Sequence, residues 1–102
     1  MNRADDLYAT AKTVLPGGVC ATARYHAALK RPFFISRGDG AYIYDLEGRE
    51  YVDMCLSHGA SLLGHNHPQI KEAIIQALDM GIICAYETPY HTELAQRLSE
   101  II

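Results

Sequence analysis

Histidines and cysteines gather in the middle of the chain, at Cys55, His58, His65 and His67. These residue types bind metals or act as nucleophile–base couples, so chemistry is sought there first. In His65-Asn66-His67 an extended backbone would put both rings on one face, a geometry that tetrahedral zinc accepts. A third ligand has no defined spacing, and Pro68 suits the first position of a helix. His67 therefore reads as helix cap or packing, and no metal site is assigned. Cys20, Cys55 and Cys84 show neither metal-ligand spacing nor a nucleophile turn, and read as buried or half-buried free thiols. Pro16-Gly17-Gly18 follows a helical segment rather than a strand and lacks the lysine of a phosphate-binding loop. Arg24 stands after that flexible turn, in a segment with few other charges. A guanidinium there can pair bidentately with a substrate carboxylate or form a surface ion pair, and the residues leave both readings open.

The elements that must position these groups follow from local pattern. Ala4, Leu7, Ala11 and Val14 recur at helical spacing, with Asn2 as N-cap and Asp5 and Asp6 near the positive end of the helix dipole. This predicts a helix within residues 1–15, stopped by Pro16-Gly17-Gly18, and then an irregular loop over 16–32. Residues 33–54 read as a three-stranded antiparallel meander. Phe33-Phe34-Ile35 is extended and Gly38-Asp39-Gly40 turns. Tyr42, Tyr44 and Leu46 alternate with Ile43, Glu47-Gly48-Arg49 turns again, and Tyr51 to Met54 closes the sheet. A sheet that small needs a helix packed on it. Residues 55–67 form a loop of small residues. Helices fill 68–102: one starts at Pro68 with the apolar stripe Ile70, Ala73, Ile74, Ala77, Leu78 and stops near Gly81. The next is capped by Thr88-Pro89, with Leu94, Leu98 and Ile101 as its stripe. The fold class expected is α+β.

With 102 residues the chain is sized for one domain with a real core. Hydrophobic residues at 49% and charged residues at 21% match an ordinary globular protein. A net charge of −3 without a basic stripe argues against nucleic acid as partner. No apolar run is long enough to span a bilayer, and the acidic start is unlike a signal peptide. An odd number of unpaired-looking cysteines fits a reducing, cytoplasmic setting.

Several of these pieces occur together in one known pattern. Leu15-Pro16-Gly17-Gly18-Val19 follows a short helix, and Arg24 comes soon after. Gly38-Asp39-Gly40-Ala41-Tyr42 leads to the Asp45-x-x-Gly48 turn, Tyr51 and Asp53. Leu63-Gly64-His65-Asn66-His67-Pro68 opens a helix, and Gly81, Thr88 and Glu93-Leu94-Ala95 complete the order. The chain resembles the N-terminal part of class III pyridoxal-phosphate-dependent aminotransferases, nearest the glutamate-1-semialdehyde 2,1-aminomutase branch. The resemblance covers nearly the whole chain. Each motif is weak alone, and together they are specific for the superfamily more than for the branch.

The resemblance implies a fold type I enzyme, a homodimer with active sites at the subunit interface, that moves an amino group on an amino acid or amino-aldehyde. This segment would be its small-domain part, walling the substrate pocket and making dimer contacts. Arg24 matches the arginine that lies near the substrate carboxylate, and His58 stands where the branch usually carries a pocket-lining tryptophan. Cys20-Ala21 replaces the branch's Asn-Ser, so the serine hydroxyl is lost and a different amine substrate is implied. In the family, the lysine that binds pyridoxal 5'-phosphate, the acidic partner of its ring nitrogen and its phosphate cradle all come later than the stretch matched here. Lys12, Lys30 and Lys71 are the lysines present, and none matches that context. The expectation is a segment without catalytic or cofactor-binding residues of its own, inactive alone, the large cofactor domain lying elsewhere. The apolar end at Ile102, in mid-helix, supports the expectation of a longer parent. The alternative is a stand-alone binding module derived from such an enzyme. In either case the exposed apolar helix faces would drive association.

Overall fold

A computed structural model describes residues 2–83 and 85–102, so Cys84 lies outside the described residues. The chain divides into two compact units, Met1–Pro68 and Gln69–Ile102.

In the first unit, helix α1 (Arg3–Val14) begins where the Asn2 side chain accepts from the Asp5 amide at 3.0 Å. Asp5 and Asp6 lie in the first turn and Lys12 in the last, the arrangement the helix dipole favours. Gly17 and Gly18 adopt positive φ, and the tightness of the turn requires glycine at 18. A Cβ there would lie 2.5 Å from the Tyr8 ring. The segment 16–32 is more ordered than an irregular loop. Residues Thr22–Arg24 make a single tight turn, and β1 (Tyr25–His26) pairs antiparallel with β2 (Arg31–Pro32). This ribbon is tied to α1 by Arg31, whose Nε donates to Asp5 Oδ1 at 3.0 Å.

The meander consists of β3 (Ile35–Asp39), β4 (Tyr42–Asp45) and β5 (Glu50–Val52) in the order β3-β4-β5. Its first strand starts later than the extended Phe33-Phe34 run suggested, and its first turn falls at Gly40 and Ala41 rather than at Gly38. The register explains both. Gly38 pairs with Ile43 and Asp39 with Tyr42, and a bulge between Ile35 and Arg37 lets the Ser36 hydroxyl donate to the Asp45 carbonyl at 2.8 Å. Phe33 instead meets Tyr51 edge-on, with ring centroids 5.1 Å apart.

Asp45 holds the second turn. It is 5% exposed, the one charged residue that is buried among those described. Its Oδ1 accepts from the amides of Glu47 and Arg49, and its Oδ2 from Arg49 Nε at 2.8 Å and the Tyr51 hydroxyl at 3.1 Å. Burial works against its charge, but these donors together win and hold the carboxyl below the usual carboxylate range.

After the one-turn element α2 (Leu56–Gly59) of the first unit, helix α3 (Pro68–Leu78) leads into the second unit and ends in a turn closed by the Gly81 amide on the Leu78 carbonyl at 2.9 Å, with Gly81 at φ +86°. Helix α4 (Pro89–Ile101) starts where the Thr88 amide donates to His91 Nδ1 at 2.9 Å, a reciprocal cap with histidine in the place usually held by glutamate. Neither helix has a buried residue, so Ile70, Ile74, Leu78, Leu94, Leu98 and Ile101 all stand open. No helix among the described residues is long and apolar enough to cross a membrane.

Candidate functional site

Arg24 closes the tight turn Thr22–Arg24, its amide donating to the Ala21 carbonyl at 3.0 Å. It is exposed and makes no ion pair among the described residues. It borders a groove of about 500 Å³ in the first unit, walled by Leu15, Val19, Cys20, Phe33 and Phe34. A single cation beside an apolar wall suits a ligand that carries one carboxylate on an apolar body.

His58 is elsewhere. It is not among the residues lining that groove. His58 lies on a one-turn element, α2 (Leu56–Gly59), whose backbone is left-handed: φ is +50° at Leu56, +54° at Ser57 and +58° at His58. L-residues visit that region singly at a cost of about 1–2 kcal/mol each, so three in succession store several kcal/mol that the surroundings must offset.

The offsetting groups were only partly legible in the sequence. Asp53 accepts the Cys55 amide at 2.9 Å and the Leu56 amide at 3.0 Å on Oδ1, and its Oδ2 lies 2.6 Å from His65 Nε2. The His65 hydrogen bond first, and then the Leu56 and Cys55 amides, hold the Asp53 carboxyl below the usual carboxylate range. His65 is itself fixed: its amide donates to the Gly40 carbonyl at 2.8 Å, and its carbonyl accepts from the Gly40 amide at 2.9 Å. Gly64, at φ +81°, must be glycine because a Cβ would lie 2.7 Å from the Gly40 oxygen.

These bonds decide the fate of the histidine–cysteine cluster. His65 is engaged by Asp53, and no group of three His, Cys, Asp or Glu side chains among the described residues is placed to share a metal. Cys20 and Cys55 are exposed, which corrects the reading of them as buried or half-buried thiols. Cys20 stands at the edge of the open groove and Cys55 at the start of the left-handed turn, and neither place is covered. The signal for the Asp53–His65 pair was present as an aspartate just past the last strand and a histidine flanked by Gly64 and Asn66. What it lacked was the fold that joins them.

The sequence profile of the aminotransferase class-III family matches residues 23–102. The chain belongs to the class-III aminotransferases. Its mixed helix-and-sheet structure matches solved transaminases. One is an omega-transaminase from Sphaerobacter thermophilus at 38% identity and TM-score 0.88, with 97% of this chain and 22% of that one covered. Another is a transaminase with PLP bound, at 35% identity and TM-score 0.85, covering 94% of this chain and 22% of that one. A glutamate-1-semialdehyde-aminomutase from Pseudomonas aeruginosa shares the fold at TM-score 0.84 and 20% identity, over 96% of this chain and 22% of that one. This class-III chain thus spans about a fifth of the length of the enzymes it matches, 22% in each case.

The cofactor of PLP enzymes needs a lysine amine, an acid for its ring nitrogen and an amide cradle for its phosphate. The residues here do not fit it. The Lys12 ammonium lies over the Tyr8 ring, 5.0 Å from its centroid. Lys30 is exposed in the β1–β2 turn at φ +54°, and Lys71 is exposed on α3. None of the three borders the Arg24 groove.

Proposed function

We propose that this chain is the N-terminal, small-domain segment of a fold type I class-III aminotransferase, and that it walls the substrate pocket of the parent enzyme without holding the cofactor. The observation that carries the reading is the family match over residues 23–102, joined to coverage of only 22% of the omega-transaminase and of the PLP-bound transaminase it matches. Residues 1–102 act here as one N-terminal segment, and the cofactor-binding lysine, acid and phosphate cradle belong to the large domain of the parent.

The parent transfers an amino group between small-molecule donors and acceptors, using pyridoxal 5'-phosphate, and works as a homodimer in the cytoplasm. The segment alone is inactive. Transamination is favoured over the 2,1-aminomutase reaction, because the neighbours of higher identity are transaminases and the serine of the aminomutase pattern is absent at Ala21. Within the pocket, Arg24 pairs with the substrate carboxylate and His58 presents a flat, titratable ring. The open stripes of α3 and α4 are the surfaces that the large domain or the dimer partner covers; complete burial of one such side chain contributes about 1.5–3 kcal/mol.

The test is kinetic, in the transaminase that contains this segment. A charge-assisted bidentate pair contributes about 1.5–3 kcal/mol, so Arg24→Ala raises KM for a carboxylate-bearing substrate roughly 10- to 150-fold. An amine substrate without a carboxylate is unaffected. Equal losses on both substrates would remove Arg24 from the carboxylate role.

A further inference from the structure

We propose that Asp53 and His65 are positioning residues that hold the Leu56–His58 turn left-handed and so set where His58 is presented. The inference deepens the reading of His58 as a pocket wall and rests on it for its functional consequence, though not for its geometry.

The argument begins with the turn. Leu56, Ser57 and His58 all lie at positive φ, and none is glycine, asparagine or aspartate, the residues that take that region most readily. Relaxing to a right-handed or extended path would re-aim every side chain in the turn, His58 included. Something must therefore fix the turn at its start. Asp53 is placed to do so, since one carboxylate oxygen accepts both the Cys55 and the Leu56 amides, the two donors that lead into the left-handed stretch.

The other oxygen anchors the carboxylate. It meets His65 Nε2 at 2.6 Å, and the pair is largely covered, with side-chain exposures of 8% for Asp53 and 22% for His65. His65 cannot drift, because its backbone is bridged in both directions to Gly40. Its ring also fills the space that a Cβ on Gly38 would occupy, 2.6 Å from its Cγ. The Asn66 side chain adds a bond to the Gly38 carbonyl at 2.7 Å. Asp53 itself is tied to the sheet by its amide, which donates to the Ala41 carbonyl at 2.9 Å. The path from the meander to His58 thus runs through named bonds: Gly40 to His65, His65 to Asp53, and Asp53 to the amides at the head of the turn.

A purely structural role would lower stability and leave the turn as it is. A positioning role changes the turn selectively, and the conservative variant restores it. The readout is the intraresidue amide–Hα nuclear Overhauser effect at Leu56, Ser57 and His58, which is strong at positive φ because the two hydrogens are close. In Asp53→Ala these effects fall severalfold while the cross-strand signals of Tyr42 with Val52 persist. In Asp53→Asn, which keeps the acceptor oxygen, they remain. Unchanged effects in Asp53→Ala, or a loss in Asp53→Asn as complete as in Asp53→Ala, would overturn the proposal.

If Asp53→Ala does not fold, wild-type amide exchange decides. The Cys55 and Leu56 amides are then protected by about tenfold or more relative to an open chain, and exchange at open-chain rates would overturn the assignment. In the active transaminase, Asp53→Ala raises KM for the amine while Asp53→Asn does not. A His58→Ala variant with unaltered KM, beside a positive result for the turn, refutes the pocket reading of His58 and leaves the positioning role standing.

Discussion

Gly64→Ala is the substitution whose effect can be worked out most fully from the structure. The residue sits at φ +81°, where an L side chain costs about 1–2 kcal/mol. Its new Cβ would also lie 2.7 Å from the Gly40 oxygen and 3.0 Å from the Gly40 carbonyl carbon. Those are backbone atoms, so no side chain can swing aside. The loop must lift, and the two hydrogen bonds joining His65 to Gly40 lengthen or break, at about 0.5–1.5 kcal/mol each. The sum is about 2–5 kcal/mol. Gly59→Ala is the matched control. It too has positive φ, at +87°, but nothing lies within 4 Å of its added Cβ, so only the backbone cost of about 1–2 kcal/mol applies. Urea unfolding followed through amide signals of Met1–Pro68 reads both variants on the same unit, which avoids assuming one transition for the whole chain. Gly64→Ala is expected to lose about 1–3 kcal/mol more than Gly59→Ala, the share owed to the displaced bridge. Equal losses would refute the close approach of the 55–67 loop to the first strand turn, and with it the anchoring of His65.

Acid should loosen the same unit. Asp45 and Asp53 have folded pKa values held below their unfolded ones, so the stability they add is fully present above the unfolded value of about 3.9 and drains away as pH falls through the folded values. Urea midpoints measured on Met1–Pro68 signals should be flat above about pH 5 and fall below about pH 4, with a shallower fall in Asp45→Asn; a midpoint unmoved down to pH 3 would contradict this. At the second unit, His91→Ala removes the acceptor of the Thr88 amide and should cost the first turn of α4 about 0.5–1 kcal/mol, read as faster amide exchange there. His91→Glu, which restores the usual cap and puts a carboxylate at the positive end of the helix dipole, should slow that exchange below the wild-type rate.

Local pattern carried most of the secondary structure. The helix Arg3–Val14 and its Asn2 cap follow from side-chain spacing and a single acceptor, both short-range properties. The strand limits were less legible. The bulge at Ser36 and the register of Gly38 on Ile43 depend on pairing partners that a linear pattern of Phe33, Phe34 and Ile35 does not reveal. The apolar stripes of α3 and α4 were plain in the sequence, yet periodicity says only that a face seeks cover, not where the cover comes from. At the candidate site, residue type drew attention to His65 and His67 as metal ligands. The bond that matters joins His65 to Asp53 and depends on the chain folding back on Gly40. The left-handed course of Leu56–His58 had no sequence signal, since none of the three residues favours it.

The central claim is that this class-III segment shapes the substrate pocket but does not hold the cofactor. Incubating the protein with pyridoxal 5'-phosphate, reducing with borohydride and mapping pyridoxyl-lysine by mass spectrometry tests it most directly. The account predicts no stoichiometric adduct on any one of Lys12, Lys30 and Lys71, only sparse labelling spread over exposed amines. A single lysine labelled at one group per chain would contradict it.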